Sequence, residues 1–215
     1  MITVAALFVE ADGAYAHLPG VECWTEASSQ GSLLGAGARA DARLYHGPHV
    51  VVAHPPCSTW CQLAKVNEAR YGHAVGSDAG CFASALASVR QCGGVLEHPA
   101  YTHAWPRFDL PRPTRGVWSP AGDHGELLSW VTEVSQSAYG HRARKRTWLY
   151  YVGEAMPPEL DWRDPEGTAW CGHNNPDRAR MGARGKPTLS KAEAKASPIA
   201  FRDLLLSIAR SARNP

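Results

Sequence analysis

Apolar positions fall into two rhythms along this chain. Residues 2–9 are a continuous apolar run rich in β-branched side chains, which suits a strand buried on both faces. Asp12 and Gly13 make a turn, residues 21–24 a short second strand, and the Gly/Ser-rich stretch 28–37 a loop. Residues 49–53, three valines between His49 and Ala53, give the clearest strand, and it stops at His54, Pro55, Pro56 and Cys57. Residues 58–77 are polar and mixed, a long connection of the kind that often carries function. Asp78 then caps a helix over 79–91, with Phe82, Leu86 and Val89 at helical spacing and Gly93 and Gly94 as its stop.

Val95 and Leu96 begin another short strand, ended by Glu97, His98 and Pro99, and residues 147–152 a further one. Residues 105–120 and 156–186 have no clear period. Ser190 and Glu193 form a capping box, and from Pro198 onward Phe201, Leu204, Leu205 and Ile208 share one helix face. Strands alternating with helices predict an α/β fold: one domain over 1–215, with a mostly parallel sheet flanked by helices. Such sheets bind ligands beyond the carboxyl ends of their strands. Cys57, Glu97 and the basic run 142–146 all lie at strand boundaries.

Composition narrows the class only slightly. The chain has 215 residues, 44% hydrophobic and 20% charged, with a net charge of +2. That total makes no global demand for nucleic acid. The charge is clustered, however, at Arg142, Arg144, Lys145 and Arg146 and again at Arg178, Arg180, Arg184 and Lys186, and such clusters can track a phosphate backbone or simply be solvated. No apolar run approaches the roughly 20 residues of a membrane helix, and the first residues lack the basic region of a secretory signal, so a cytoplasmic protein is expected. The six cysteines show no disulfide framework and no Cys-x-x-Cys pair, so free thiols and no metal site are expected.

Cys57 is the chemical focus. Two prolines fix the backbone before it, so its thiol projects from a stiff support. Attack requires thiolate, which His54 or nearby arginines can favour. A carboxyl at Glu97 can bind or protonate a ring nitrogen, and arginines can grip a base carbonyl or phosphate. Taken singly, each residue also has a bland reading: Cys57 as a small buried side chain, Glu97 as a cap partner.

In order along the chain, these elements resemble the DNA cytosine-5 methyltransferase family, especially small phage-encoded members. His54-Pro55-Pro56-Cys57 after an apolar strand is similar to the family's Pro-Pro-Cys motif. Glu97-His98-Pro99 is similar to its Glu-Asn-Val element in the phage-type Glu-Asn-Pro form. Arg142 to Arg146, running into Trp148, resembles its Gln-x-Arg-x-Arg strand, and the final helix resembles the element that closes the family's core. The resemblance implies a Rossmann-like methyltransferase domain in which Cys57 attacks carbon 6 of a flipped cytosine. It further implies that Glu97 holds and protonates ring nitrogen 3, and that Arg144 supports the base. S-adenosylmethionine would be the methyl donor, held by Phe8, Asp12, Gly13, Glu26, Asp41 and Pro55. DNA would meet His54, Ser58, Trp60, Arg142, Arg146, Arg178, Arg180 and Arg184, with residues 58–77 as a loop closing over the site.

Two departures qualify that implication. The family's glycine-rich first loop keeps a single glycine here, Gly13. In place of a target-recognition domain stands an irregular insert over about 154–187, so little sequence specificity is expected. Two alternatives stay open: a Cys57 enzyme modifying a pyrimidine base or nucleotide without S-adenosylmethionine, and an inactive relative that only binds nucleic acid.

Overall fold

A computed structural model describes residues 2–25, 38–171 and 186–213. Its described residues form one eight-stranded mixed sheet in the order β3-β2-β1-β4-β5-β8-β7-β6. The strands are β1 (Val4–Leu7), β2 (Val21–Thr25), β3 (Ala38–Asp41), β4 (Val50–Ala53), β5 (Gly94–Pro99), β6 (Ser119–His124), β7 (Leu127–Ser135) and β8 (Arg146–Gly153). The first five pair in parallel. The remaining pairings, β5 with β8, β8 with β7 and β7 with β6, are antiparallel. The expected α/β class holds, but the sheet is mixed, because residues 119–135, unread as strands, supply a hairpin that pairs with β8.

Two helices sandwich the centre of the sheet. α1 (Ala64–Tyr71) and α2 (Cys81–Cys92) connect β4 to β5. Phe82, Ala85, Leu86 and Val89 of α2 repeat at helical spacing and are buried against Val51, Ala53 and Leu96. α3 is the single turn Ala104–Arg107, and α4 (Lys191–Lys195) starts at the expected Ser190–Glu193 capping box. α5 (Ile199–Arg210) covers the opposite face, burying Phe201, Leu205 and Ile208 against Val50, Val52 and Val95. Leu204, predicted on that face, is only half-buried, and Leu206 is buried instead. Each such side chain contributes about 1.5–3 kcal/mol when fully buried.

The predicted helix start shifts by two residues. Asp78 does organise it, accepting from the amides of Gly80 and Phe82, but Gly80 is the cap residue itself. Gly94 is required where β5 approaches β4: a Cβ there would stand 2.0 Å from the Val51 carbonyl oxygen. The 58–77 connection is not all loop, since α1 occupies its middle.

Between β1 and β2 the turn expected at Asp12 and Gly13 forms. β1 passes to β2 through turns rather than a helix, with the amide of Gly13 donating to Glu10 and that of Ala16 to Gly13. β3 passes to β4 through one 3-10 turn, Ala42–Leu44. Among the described residues no helix is long and apolar enough to cross a membrane.

Candidate active site

Register builds the site. Leu7 of β1 lies beside Ala53 of β4, and Ala53 beside Leu96 of β5. The next residue on each strand, Phe8, His54 and Glu97, therefore stands abreast at the carboxyl edge, with the His54 amide still donating to the Leu7 carbonyl. Side chains alternate along a strand, so His54 and Glu97 follow Val52 and Val95 to the α5 side. There His54 Nδ1 lies 2.9 Å from Glu97 Oε1. Its Nε2 lies 2.8 Å from the hydroxyl of Tyr15, which reaches back from the β1–β2 turns. The Glu97 and His54 side chains are 13% and 14% exposed, and Tyr15 is 4% exposed.

Cys57 follows two residues after Pro55, half-buried at the head of a turn whose carbonyl accepts from the amides of Trp60 and Cys61. Burial pushes its thiol up, as do the charge of Glu97 and the neighbouring Cys61, while Lys145 and Lys195 pull it down. Burial pushes Glu97 up as well. The hydrogen bond and charge of His54, then Lys145 and His98, outweigh it and leave the carboxyl below its usual range. His98 points to the other face, 2.8 Å from the Thr102 hydroxyl, and burial takes it down to about 4 against the opposing Glu97 charge, so it is neutral near pH 7.

The basic run before β8 divides between two surroundings. Lys145 is half-buried, its ammonium donates to the Lys195 carbonyl at 3.2 Å, and its charge acts on Cys57 and Glu97. Arg144, expected to support the base, is exposed and forks onto Asp164, with Nε donating to Oδ1 at 2.7 Å. Arg115 joins the same carboxylate, Arg146 Nη2 lies 3.6 Å from it, and Arg146 also donates to the Tyr101 hydroxyl. Arg142 pairs with Glu193 at 2.8 Å. The cations acting on Cys57 are thus Lys145 and Lys195, and Lys145 acts on Glu97 as well, while Arg144 is engaged by Asp164. Successive residues of an extended segment point to opposite sides, and the position within the run decides the role.

No family model, curated protein or solved structure matches the chain.

The remaining expected residues scatter. Trp60 does not stand in the site: it is buried, its indole N–H donates to Asp78 at 2.8 Å, and its ring faces Phe82 and Phe108. A Cβ on Gly76 would meet that indole at 2.6 Å, so only glycine lets the backbone lie this close to the ring. Ser58 is exposed beside Cys57, and Pro55 is buried. Phe8 packs against the α2-side core with φ of 60°. Asp12 is exposed in its turn. A Cβ on Gly13 would meet Glu10 of its own loop at 3.1 Å. Asp41 accepts from the amide and guanidinium of Arg43. Glu26, Arg178, Arg180 and Arg184 lie outside the described residues.

Tyr15 and Asp164 went unread in the sequence, and Lys145 was read only as one member of the basic cluster. Only Lys145 had an available signal, the alternation of the run leading into β8. The cysteines form no disulfide, and among the described residues no group of three or more His, Cys, Asp and Glu side chains converges to hold a metal ion.

Proposed function

We propose that this chain activates carbon 5 of a pyrimidine base by adding the Cys57 thiol to carbon 6, on the plan of the DNA cytosine-5 methyltransferases and with cytosine in DNA as the substrate. The observation that carries the reading is that Cys57 follows the end of β4 while Glu97 stands one residue past the paired part of the adjacent β5, with the charge of Glu97 acting on the thiol. The order of the parallel strands, 3-2-1-4-5, followed by antiparallel β8, supports a Rossmann-like methyltransferase plan.

The chemistry balances within the site. Cys57 gives up its thiol proton to the Glu97 carboxylate as Sγ bonds to carbon 6. The π pair of the 5,6 double bond shifts toward carbon 4, and the pair of the carbon 4–nitrogen 3 bond moves onto nitrogen 3. Glu97 passes the proton to nitrogen 3, and carbon 5 becomes an enamine nucleophile. Lys145 offsets the charge on Cys57 as it ionises. A duplex base reaches the thiol only after leaving the stack.

S-adenosylmethionine does not fit the residues the resemblance assigns to it. The β1–β2 link is a run of turns with no helix N-terminus, the space at Gly13 is filled by Glu10, and Asp41 is engaged by Arg43. The reading therefore ends at activated carbon 5, and the electrophile comes from elsewhere.

Exchange of the carbon 5 hydrogen in D2O tests this without any donor. The adduct takes deuterium at carbon 5, loses hydrogen, and expels the thiol. Mass spectrometry of cytosine-containing oligonucleotides is expected to register enzyme-dependent exchange that vanishes in Cys57→Ser. No exchange with oligonucleotides, dCMP or dUMP, alongside nucleic-acid binding unchanged in Cys57→Ser, would instead identify an inactive binding protein.

A further inference from the structure

The Tyr15–His54–Glu97 chain has only one consistent arrangement of protons. The Tyr15 hydroxyl is buried and has a single hydrogen-bond partner among the described residues, His54 Nε2 at 2.8 Å. If Nε2 carried a proton and donated, the phenol's own proton would be left buried without an acceptor among the described residues, which folded proteins avoid. The phenol therefore donates and Nε2 accepts. The ring's proton then sits on Nδ1, which donates to Glu97 Oε1 at 2.9 Å. An oxygen that accepts there belongs to an ionised carboxylate. Burial holds the Tyr15 phenol well above its usual range, so it keeps its proton.

We propose that Tyr15 and His54 are positioning residues that fix one His54 tautomer and so keep Glu97 a carboxylate, ready to receive the Cys57 proton. The proposal rests on the reading of Cys57 as the nucleophile only for its kinetic arm. With Oε1 committed to His54, Oε2 carries no hydrogen bond among the described residues and is the atom left for thiol and base. The titratable and charged groups around the chain come from several neighbouring elements. Lys145 and His98 act on Glu97, and Cys57 stands beside it. Arg202 and Asp203 of α5 and Cys23 of β2 act on Tyr15. The cations among them reinforce an anionic Glu97, but the one hydrogen bond to its carboxylate among the described residues is His54's.

Nitrogen-15 NMR of the full chain tests the tautomer directly, without activity. The expected spectrum has His54 protonated on Nδ1 and bare on Nε2 near pH 7, with the Nε2-protonated form appearing in Tyr15→Phe. A wild-type ring protonated on Nε2 would overturn the proposal. The kinetic arm is the pH profile of carbon 5 exchange. In His54→Leu, burial of Glu97 goes unopposed by that hydrogen bond, so the acid limb moves up by at least about one pH unit, a tenfold rate loss at a fixed pH on the limb. His54→Asn, whose amide can still donate, restores most of the wild-type profile and controls for folding. A lower rate with an unmoved limb in His54→Leu would overturn the proposal. Wild-type protein that exchanges no substrate defeats the reading of Cys57, and the NMR result then decides this inference by itself.

Discussion

Glu97 and Asp164 are both carboxylates holding a basic side chain, and the two are held in opposite ways. Glu97 faces an imidazole, and burial works against its charge. Asp164 faces guanidiniums, and the Arg144 hydrogen bond takes it down to about 2 against a smaller opposing effect of burial. A neutral imidazole donates from one ring nitrogen and accepts at the other, whereas a guanidinium only donates. The first pair is therefore able to take part in proton transfer. The second is a clamp that ties the 142–146 run to the segment carrying Asp164, and its state is fixed across the working pH range.

The comparison is broken or sharpened by substitution on each side. The largest effect is expected at the nucleophile: Cys57→Ala loses about 10³-fold or more of carbon 5 exchange with the denaturation midpoint little changed. Glu97→Gln follows, at about 10²- to 10⁴-fold, and a milder loss would mean that another group accepts the thiol proton. Lys145→Met and Arg144→Gln form the sharpest contrast. The first is expected to slow exchange by about 10-fold or more, the second by less than about threefold. The reverse order would return Arg144 to the base.

Asp164→Asn moves stability instead. It is expected to cost about 1–2 kcal/mol in urea denaturation, because the partner arginines are themselves partly in water, and to leave the exchange rate near wild type. The smallest effect is in pH dependence. Asp164 ionises at about 2 when folded and about 3.9 when unfolded, so its contribution is complete above that unfolded value. It is lost as pH falls toward 2. Denaturation midpoints followed from pH 5 to pH 2 should fall less steeply in Asp164→Asn than in the wild type.

What was legible in the sequence follows the reach of each signal. The valines of β4, the Phe82–Leu86–Val89 face and the Ser190–Glu193 box each record a local preference, and each element forms within a residue or two of its reading. Cys57 and Glu97 were readable because both follow apolar strand segments. Their meeting depends on the β4–β5 register, which no local pattern records. Tyr15 was invisible for the same reason, since it lies 39 residues from His54 and comes to it only through the β1–β2 turns. Trp60 misled because an indole in a polar stretch looks exposed, while Asp78, Phe82 and Phe108, distant in sequence, enclose it. The β6–β7 hairpin was missed because Pro120, Gly122 and Gly125 interrupt its pattern with turn residues.

The two helices between β4 and β5 differ in a way that bears on how the molecule breathes. In α1 only Ala64 is buried, and Leu63, Val66 and Tyr71 stand at least half exposed, whereas α2 is pinned to the sheet by most of one face. Little apolar burial opposes the unwinding of α1, so it belongs to the low end of the molecule's stability range. Its amides should exchange with solvent long before those of α2. A protease should cut first near Tyr71, leaving a nicked chain whose sheet is still whole. That early-opening turn of chain begins seven residues after Cys57, so the segment that follows the thiol belongs to the loosely held part of the fold rather than to its core.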